Sequence, residues 1–168
     1  MIDIQEVPEF YRGYVLALGA GELVPLLLKT GDDFISFGRG LNENQGNYRY
    51  AEEKWSVKEV MQHVIDSERI FAYRALRFAR NDATELSGFE QNDYVPESNS
   101  NNRTIISLMT EFTNVRASSV DLFTSFKDDI RQRSGLASGV NISVEAIGYI
   151  ISGHVKHHLN VLQERYTK

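Results

Sequence analysis

The stretch Lys54-Trp55-Ser56-Val57-Lys58-Glu59-Val60-Met61-Gln62-His63, continuing to Arg80, decides how this chain is read. Ser56 and Glu59 make a Ser-x-x-Glu capping box, in which hydroxyl and carboxylate satisfy backbone amides left free at a helix start. Trp55, just before the cap, is placed to staple onto Val60. A helix is therefore expected from Ser56. Val57, Val60, Met61, Val64, Phe71, Ala75, Phe78 and Ala79 recur at helical spacing until Asn81-Asp82 interrupts, so the segment runs to about Arg80.

Working outward, breaks near 38–54, 81–102 and 128–142 leave four helical segments in all. The third runs roughly from Arg103 to Phe126, with Ile105, Leu108, Met109, Phe112, Val115, Val120 and Phe123 on its inner stripe. The fourth runs from Ser143, an N-cap followed by Glu145 in the first turn, to about Tyr166. The first is divided: Phe10 to Leu18 and Glu22 to Phe37 are apolar enough, but Gly19, Gly21, Pro25 and Gly31 argue for a break or kink. No period-2 strand is expected, because the connections are rich in Gly, Asn and Ser, and the class is all-α. The 81–102 connection can stretch to roughly 70 Å, while the second helix is only ~37 Å long. Such a loop can cross the whole bundle, so the second and third helices are expected to be parallel and the order up-down-down-up.

The 168 residues and 19.1 kDa suit a single domain over 1–168 with an ordinary core, at 42% hydrophobic and 24% charged residues. The first residues, Met1-Ile2-Asp3-Ile4-Gln5-Glu6, do not read as a secretory leader, and no apolar run approaches the ~20 residues of a membrane span; a cytoplasmic protein with no membrane partner is expected. Cysteine is absent, which removes disulfides, thiolate ligands and a cysteine nucleophile. A net charge of -5 opposes nucleic acid as a partner. Arg69, Arg74, Arg77 and Arg80 cluster late in the second helix, where solvated cations complement the macrodipole. Apolar residues left over on outer faces admit a homodimer.

Three of the four histidines fall in Gly153-His154-Val155-Lys156-His157-His158. On a helix His154 and His158 share one face with Ile147, Ile151, Val161 and Leu162, while His157 is rotated ~100° from each neighbour. Two imidazoles on an apolar face need partners, and a metal ion supplies one to both. Alone, a His-x-x-x-His pair is more often two satisfied core histidines. His63 strengthens the metal reading: it flanks the apolar face of the second helix beside Ser67, Ile70 and Arg74, ~10 Å from the helix start, and the His154/His158 pair lies ~15 Å from the end of the fourth. With those helices antiparallel the depths nearly coincide. Glu68 falls among apolar positions and so needs a partner, either a ligand it orients or an arginine of another helix. Asp66 reads as solvated, and Tyr73 and Tyr94 are not singled out by spacing.

These residues resemble the DinB-like family, also called the YfiT-like metal-dependent hydrolases. The resemblance is carried by Lys54 through His63, by Asp66-Ser67-Glu68-Arg69-Ile70-Phe71-Ala72-Tyr73-Arg74, by Gly88-Phe89-Glu90-Gln91-Asn92-Asp93-Tyr94-Val95, and by Gly153 through Tyr166. It implies an up-down-down-up four-helix bundle and a three-histidine metal site similar to His63, His154 and His158. It further implies a divalent ion, zinc or nickel, that activates water or a low-molecular-weight thiol toward a small-molecule substrate, in a transferase or hydrolase type of reaction. His157, Glu68 or Asp66 would assist proton transfer from outside the ligand set. A non-enzymatic metal-binding or stress-response module is the alternative, and a closed shell with no adjoining pocket would mark it.

Overall fold

The computed structural model describes residues 2–166. Its elements are α1 (Glu9–Leu16), α2 (Leu23–Arg39), α3 (Glu43–Gly46), α4 (Val57–Ala79), α5 (Gln91–Glu97), α6 (Ile105–Thr124), α7 (Asp128–Arg131), β1 (Ser134–Ala137), β2 (Val140–Ser143) and α8 (Val144–Arg165), with short 3-10 turns at Ile4–Glu6 and Ser100–Asn102. The caps fall where the residue types place them. Ser56 Oγ accepts from the Glu59 amide at 3.1 Å, and Glu59 Oε2 accepts from the Ser56 amide at 2.7 Å. Thr104 and Ser143 cap α6 and α8 through the amides of Ser107 and Ala146. Trp55 lies on the cluster that contains Val60 and also against the His63 ring.

α2, α4, α6 and α8 form the bundle, with α2 and α4 each packed on both α6 and α8. Their directions follow from side-chain pairs. Gln62 with Arg103, and Arg69 with Glu111, advance together along α4 and α6, so these two are parallel. Tyr166 at the end of α8 donates to the Trp55 carbonyl just before α4, and Arg133 before α8 donates to Ala79 at the end of α4, so this pair is antiparallel. Tyr149 reaches the Gly21 carbonyl, which sets the starts of α2 and α8 side by side. The order is up-down-down-up. The long connection runs back along α4, from Leu86 beside β1 to Asn101, which bonds Ser56 and Glu59 at the other end.

Two expectations need correction. The 128–142 and 81–102 breaks are not plain loops, since they carry α7, α5 and an antiparallel hairpin pairing Ser134 with Ser143 and Ala137 with Val140. The hairpin turn is Ser138-Gly139, both at positive φ (52 and 77), the two-residue geometry that matches strand twist. Its cue, a Ser-Gly pair between Leu136 and Val140, is short and was outweighed by the polar composition around it. The first helix is divided as expected, with Gly19 at φ 70 in the break. Gly31, by contrast, does not break α2; it lies buried against the Arg116 side chain.

Candidate metal centre

Antiparallel α4 and α8 bring their histidines to one depth. His63 Nε2 lies 3.1 Å from His154 Nε2, which lies 3.1 Å from His158 Nε2, and one ring nitrogen from each falls within 4.8 Å of the others. His63 and His154 are buried and His158 half-buried. A neutral imidazole has one lone pair and one N–H. Three Nε2 atoms this close cannot satisfy each other, because the central nitrogen has a single proton or a single lone pair to share with two neighbours. A cation resolves this: nitrogens ~2.0–2.1 Å from one ion and about 90–110° apart are themselves about 3 Å apart. The residues present therefore fit a divalent metal held by three imidazoles.

The electrostatics keep these nitrogens unprotonated. Burial pushes His63 down to about 4, with the charge of His157 adding to it. Burial also holds His154 and His158 well below the ordinary histidine range, and repulsion from the other histidines works in the same direction. At neutral pH all three offer lone pairs. Ser67 Oγ, one turn along α4, lies 3.5 Å from His63 Nδ1, a long contact on the side away from the cluster.

α1 supplies a wall that sequence reading did not assign to the site. The Tyr14 ring stands edge-on to His154 with centroids 5.5 Å apart and tilted on His157 at 5.0 Å. Gly153 permits this, since a Cβ there would come within 2.4 Å of the Tyr14 carbonyl oxygen. Burial raises the Tyr14 hydroxyl above its usual range. The aromatic run Phe10-Tyr11 followed by Tyr14 was a signal in the sequence, but nothing local said which helix it would cover.

A cavity of about 470 Å³ opens beside the histidines, lined by His63, Ser67, Phe71 and Arg74 along one stripe of α4, by Tyr11 and Tyr14 of α1, and by the loop and hairpin tip around Phe89 and Ser138. Arg74 was expected to be solvated with its neighbours. It is buried instead, and donates to the Ser87 carbonyl and to Ser138 Oγ. Asp66 is likewise not fully solvated: half-buried, it accepts from Gln62 at 2.9 Å, and burial raises its carboxyl above the usual range. Glu68 points away into the core, where Arg116 of α6 grips it with two bonds of 2.8 and 2.7 Å and also donates to the Leu27 carbonyl and Thr30 hydroxyl. His157 is exposed and outside the three-nitrogen group, its ring 5.0 Å from that of His158. Tyr73 and Tyr94 are exposed and do not line the cavity.

Two solved structures share this architecture. One, YfiT from Bacillus subtilis, described as a probable metal-dependent hydrolase with an unusual four-helix bundle topology, superposes with a TM-score of 0.77 at 14% identity, over 84% of this chain and 82% of that one. The other, a mycothiol-dependent maleylpyruvate isomerase, gives 0.71 at 12% identity over 95% of this chain but spans only 62% of that longer protein. No curated protein matches the sequence. The family model of the DinB superfamily matches residues 26–162, a span that takes in α4, α6, most of α8 and all three converging histidines, and the chain belongs to that superfamily.

Proposed function

We propose that this protein is a metal-dependent enzyme, of hydrolase or thiol-dependent transferase type, whose ion is held by His63, His154 and His158. The observation that carries the proposal is the convergence of three deprotonated imidazole nitrogens beside a cavity large enough for a small substrate. Zinc or nickel bound there would supply Lewis acidity, lowering the pKa of a coordinated water or small-molecule thiol toward neutrality. Because the chain has no cysteine, any thiol nucleophile comes from a small molecule. The descriptions of the two structural neighbours, a probable metal-dependent hydrolase and a thiol-dependent isomerase, are consistent with both branches.

The chain's own residues have separable tasks. The aromatic walls, Tyr11, Tyr14, Phe71 and Phe89, exclude water from one side of the cavity and offer faces to an apolar substrate body. His157, at the exposed edge of the site, is held below the ordinary histidine range by partial burial, with Glu164 acting in the opposite direction, and can take a proton there. Glu68, committed to Arg116, fixes α4 against α6 rather than meeting substrate. The adjoining cavity supports this reading over a closed, purely sensing metal site.

The test is a metal-dependence assay. Chelator-treated protein reloaded with zinc or nickel should conjugate a small thiol to 1-chloro-2,4-dinitrobenzene, or hydrolyse an activated ester, and should lose that activity when the metal is removed. Equal rates for loaded wild type and His154→Ala would contradict the proposal.

A further inference from the structure

Arg74 is the buried charge to which the fold gives no counter-ion, only the Phe71 ring, its centroid 5.9 Å from the guanidinium carbon. Five charged side chains among the described residues are buried: Lys58, Glu59, Glu68, Arg74 and Arg116. Lys58 pairs with Glu43 at 2.7 Å, Glu59 with Arg49 at 2.8 Å and Glu68 with Arg116 at 2.7 Å. Arg74, only 4% exposed, has no acidic partner. The acids nearest in sequence are engaged elsewhere, Asp66 with Arg69 and Asp82 with Arg77, while Glu90 caps its own helix by accepting from the Asn92 amide.

Its two bonds, 2.9 Å to the Ser87 carbonyl and 2.8 Å to Ser138 Oγ, both come from Nη2 and both go to neutral acceptors. Tying a loop to a hairpin needs donors but not a charge, and a desolvated guanidinium without a counter-ion is costly. Nε and Nη1 make no hydrogen bond within the protein, although Arg131 Nε is the only unsatisfied buried side-chain atom among the described residues. Those donors are therefore open to a ligand. Arg74 lines a smaller cavity with Tyr73, Glu85 and Tyr94 as well as the larger one shared with His63 and His154, and only the larger, which also carries Glu9 and Glu90, reaches the histidines.

We propose that Arg74 is the receptor for a carboxylate on the substrate. Both Nη2 hydrogens are taken by Ser87 and Ser138, so the carboxylate is held by a single charge-assisted bond from Nε or Nη1 together with the unneutralised charge, which the low-dielectric wall strengthens. Position sets the ligand's shape. His63, Ser67, Phe71 and Arg74 follow one stripe of α4, and 11 residues at 1.5 Å place the His63 and Arg74 backbones about 16 Å apart along the axis. The Arg74 side chain leaves its helix tilted toward the N-terminus, on the His63 side. Between them lie the rings of Phe71 and Tyr11, whose centroids are 5.9 Å apart. The ligand class is an elongated acid with an apolar middle, its carboxylate on Arg74 and its other end at the histidines. Its place in a reaction rests on the function proposed above; the binding itself does not.

Calorimetric titration with 4-phenylbutyrate and its uncharged amide, 4-phenylbutanamide, against both chelator-treated and metal-reloaded protein tests this. The acid should bind metal-free wild type at least about tenfold more tightly than the amide, the gain expected of one charge-assisted hydrogen bond. R74Q should abolish that preference without weakening the amide, and R74K, which keeps the charge, should retain part of it. Equal binding of acid and amide by wild type, no saturable binding of either, or a preference that persists in R74Q would overturn the assignment. So would a preference present only in reloaded protein, which would place the carboxylate on the metal. If R74Q fails to fold, the acid-amide comparison on wild type still decides. Absence of metal-dependent activity in reloaded wild type, with the acid preference intact in metal-free protein, would sink the proposed reaction but leave Arg74 standing.

Discussion

Two of the polar clusters buried in the bundle are built on opposite principles. Around Glu68, a carboxylate meets a guanidinium, and the remaining donors of Arg116 find the Leu27 carbonyl and the Thr30 hydroxyl, so every charge has its opposite. Around His154, three groups of the same kind turn their nitrogens toward one point. The first cluster is complete within the chain. The second is complete only with a cation from outside, and it is the one with a cavity beside it. Self-sufficiency marks structure, and an unmet demand marks the site.

Mutations should separate the two. Arg116→Ala strands the Glu68 carboxylate in the core and should cost about 3–5 kcal/mol in chemical denaturation, with metal binding by the folded fraction unchanged. A loss under 1 kcal/mol would show that water reaches Glu68 and that the cluster is not closed.

The histidine cluster should announce itself through pH. In the unfolded chain His63 titrates near its ordinary 6.5, but in the folded chain at about 4, so the unfolded state holds more protons between those values. Stability of chelator-treated protein should therefore be full above pH 6.5 and fall as pH drops toward 4, with His63 alone contributing roughly 3 kcal/mol and His154 and His158 adding to the loss. His63→Leu should remove that part of the slope, as read from urea midpoints across the range. An unchanged slope in His63→Leu would mean that the ring is not held neutral by burial.

A smaller effect concerns the wall between site and solvent. Gly153→Ala puts a methyl group against the Tyr14 carbonyl and should cost about 1–3 kcal/mol by displacing α1. Because α4 and the rest of α8 need not move, metal affinity should change little while the fluorescence of the tyrosines shifts. Full native stability in this variant would mean that α1 is not packed where the Tyr14 ring contacts place it.

The legibility of the sequence followed the range of the interactions. Ser56, Glu59, Thr104 and Ser143 act within one turn, and the helices they start were readable residue by residue. The pairing of His63 with His154 and His158 spans 91 residues or more, yet it was readable because helical pitch and the long 81–102 connection together fixed depth and direction. Arg74 was misread for the opposite reason. Its burial is imposed by Ser87 and Ser138, which belong to a loop and a hairpin tip that no periodicity announces. Tyr14 was overlooked likewise, because its place over His154 depends on the absence of a side chain at Gly153.

The most direct test of the central claim is metal content by elemental analysis after exhaustive dialysis, for wild type and the four His→Ala variants. His63→Ala, His154→Ala and His158→Ala should each lose the ion, with affinity lowered by orders of magnitude, whereas His157→Ala should retain it with at most the roughly 10–100-fold loss typical of groups beyond the ligands. Full metal occupancy in His63→Ala would contradict the three-histidine centre and leave His154 and His158 to recruit another ligand.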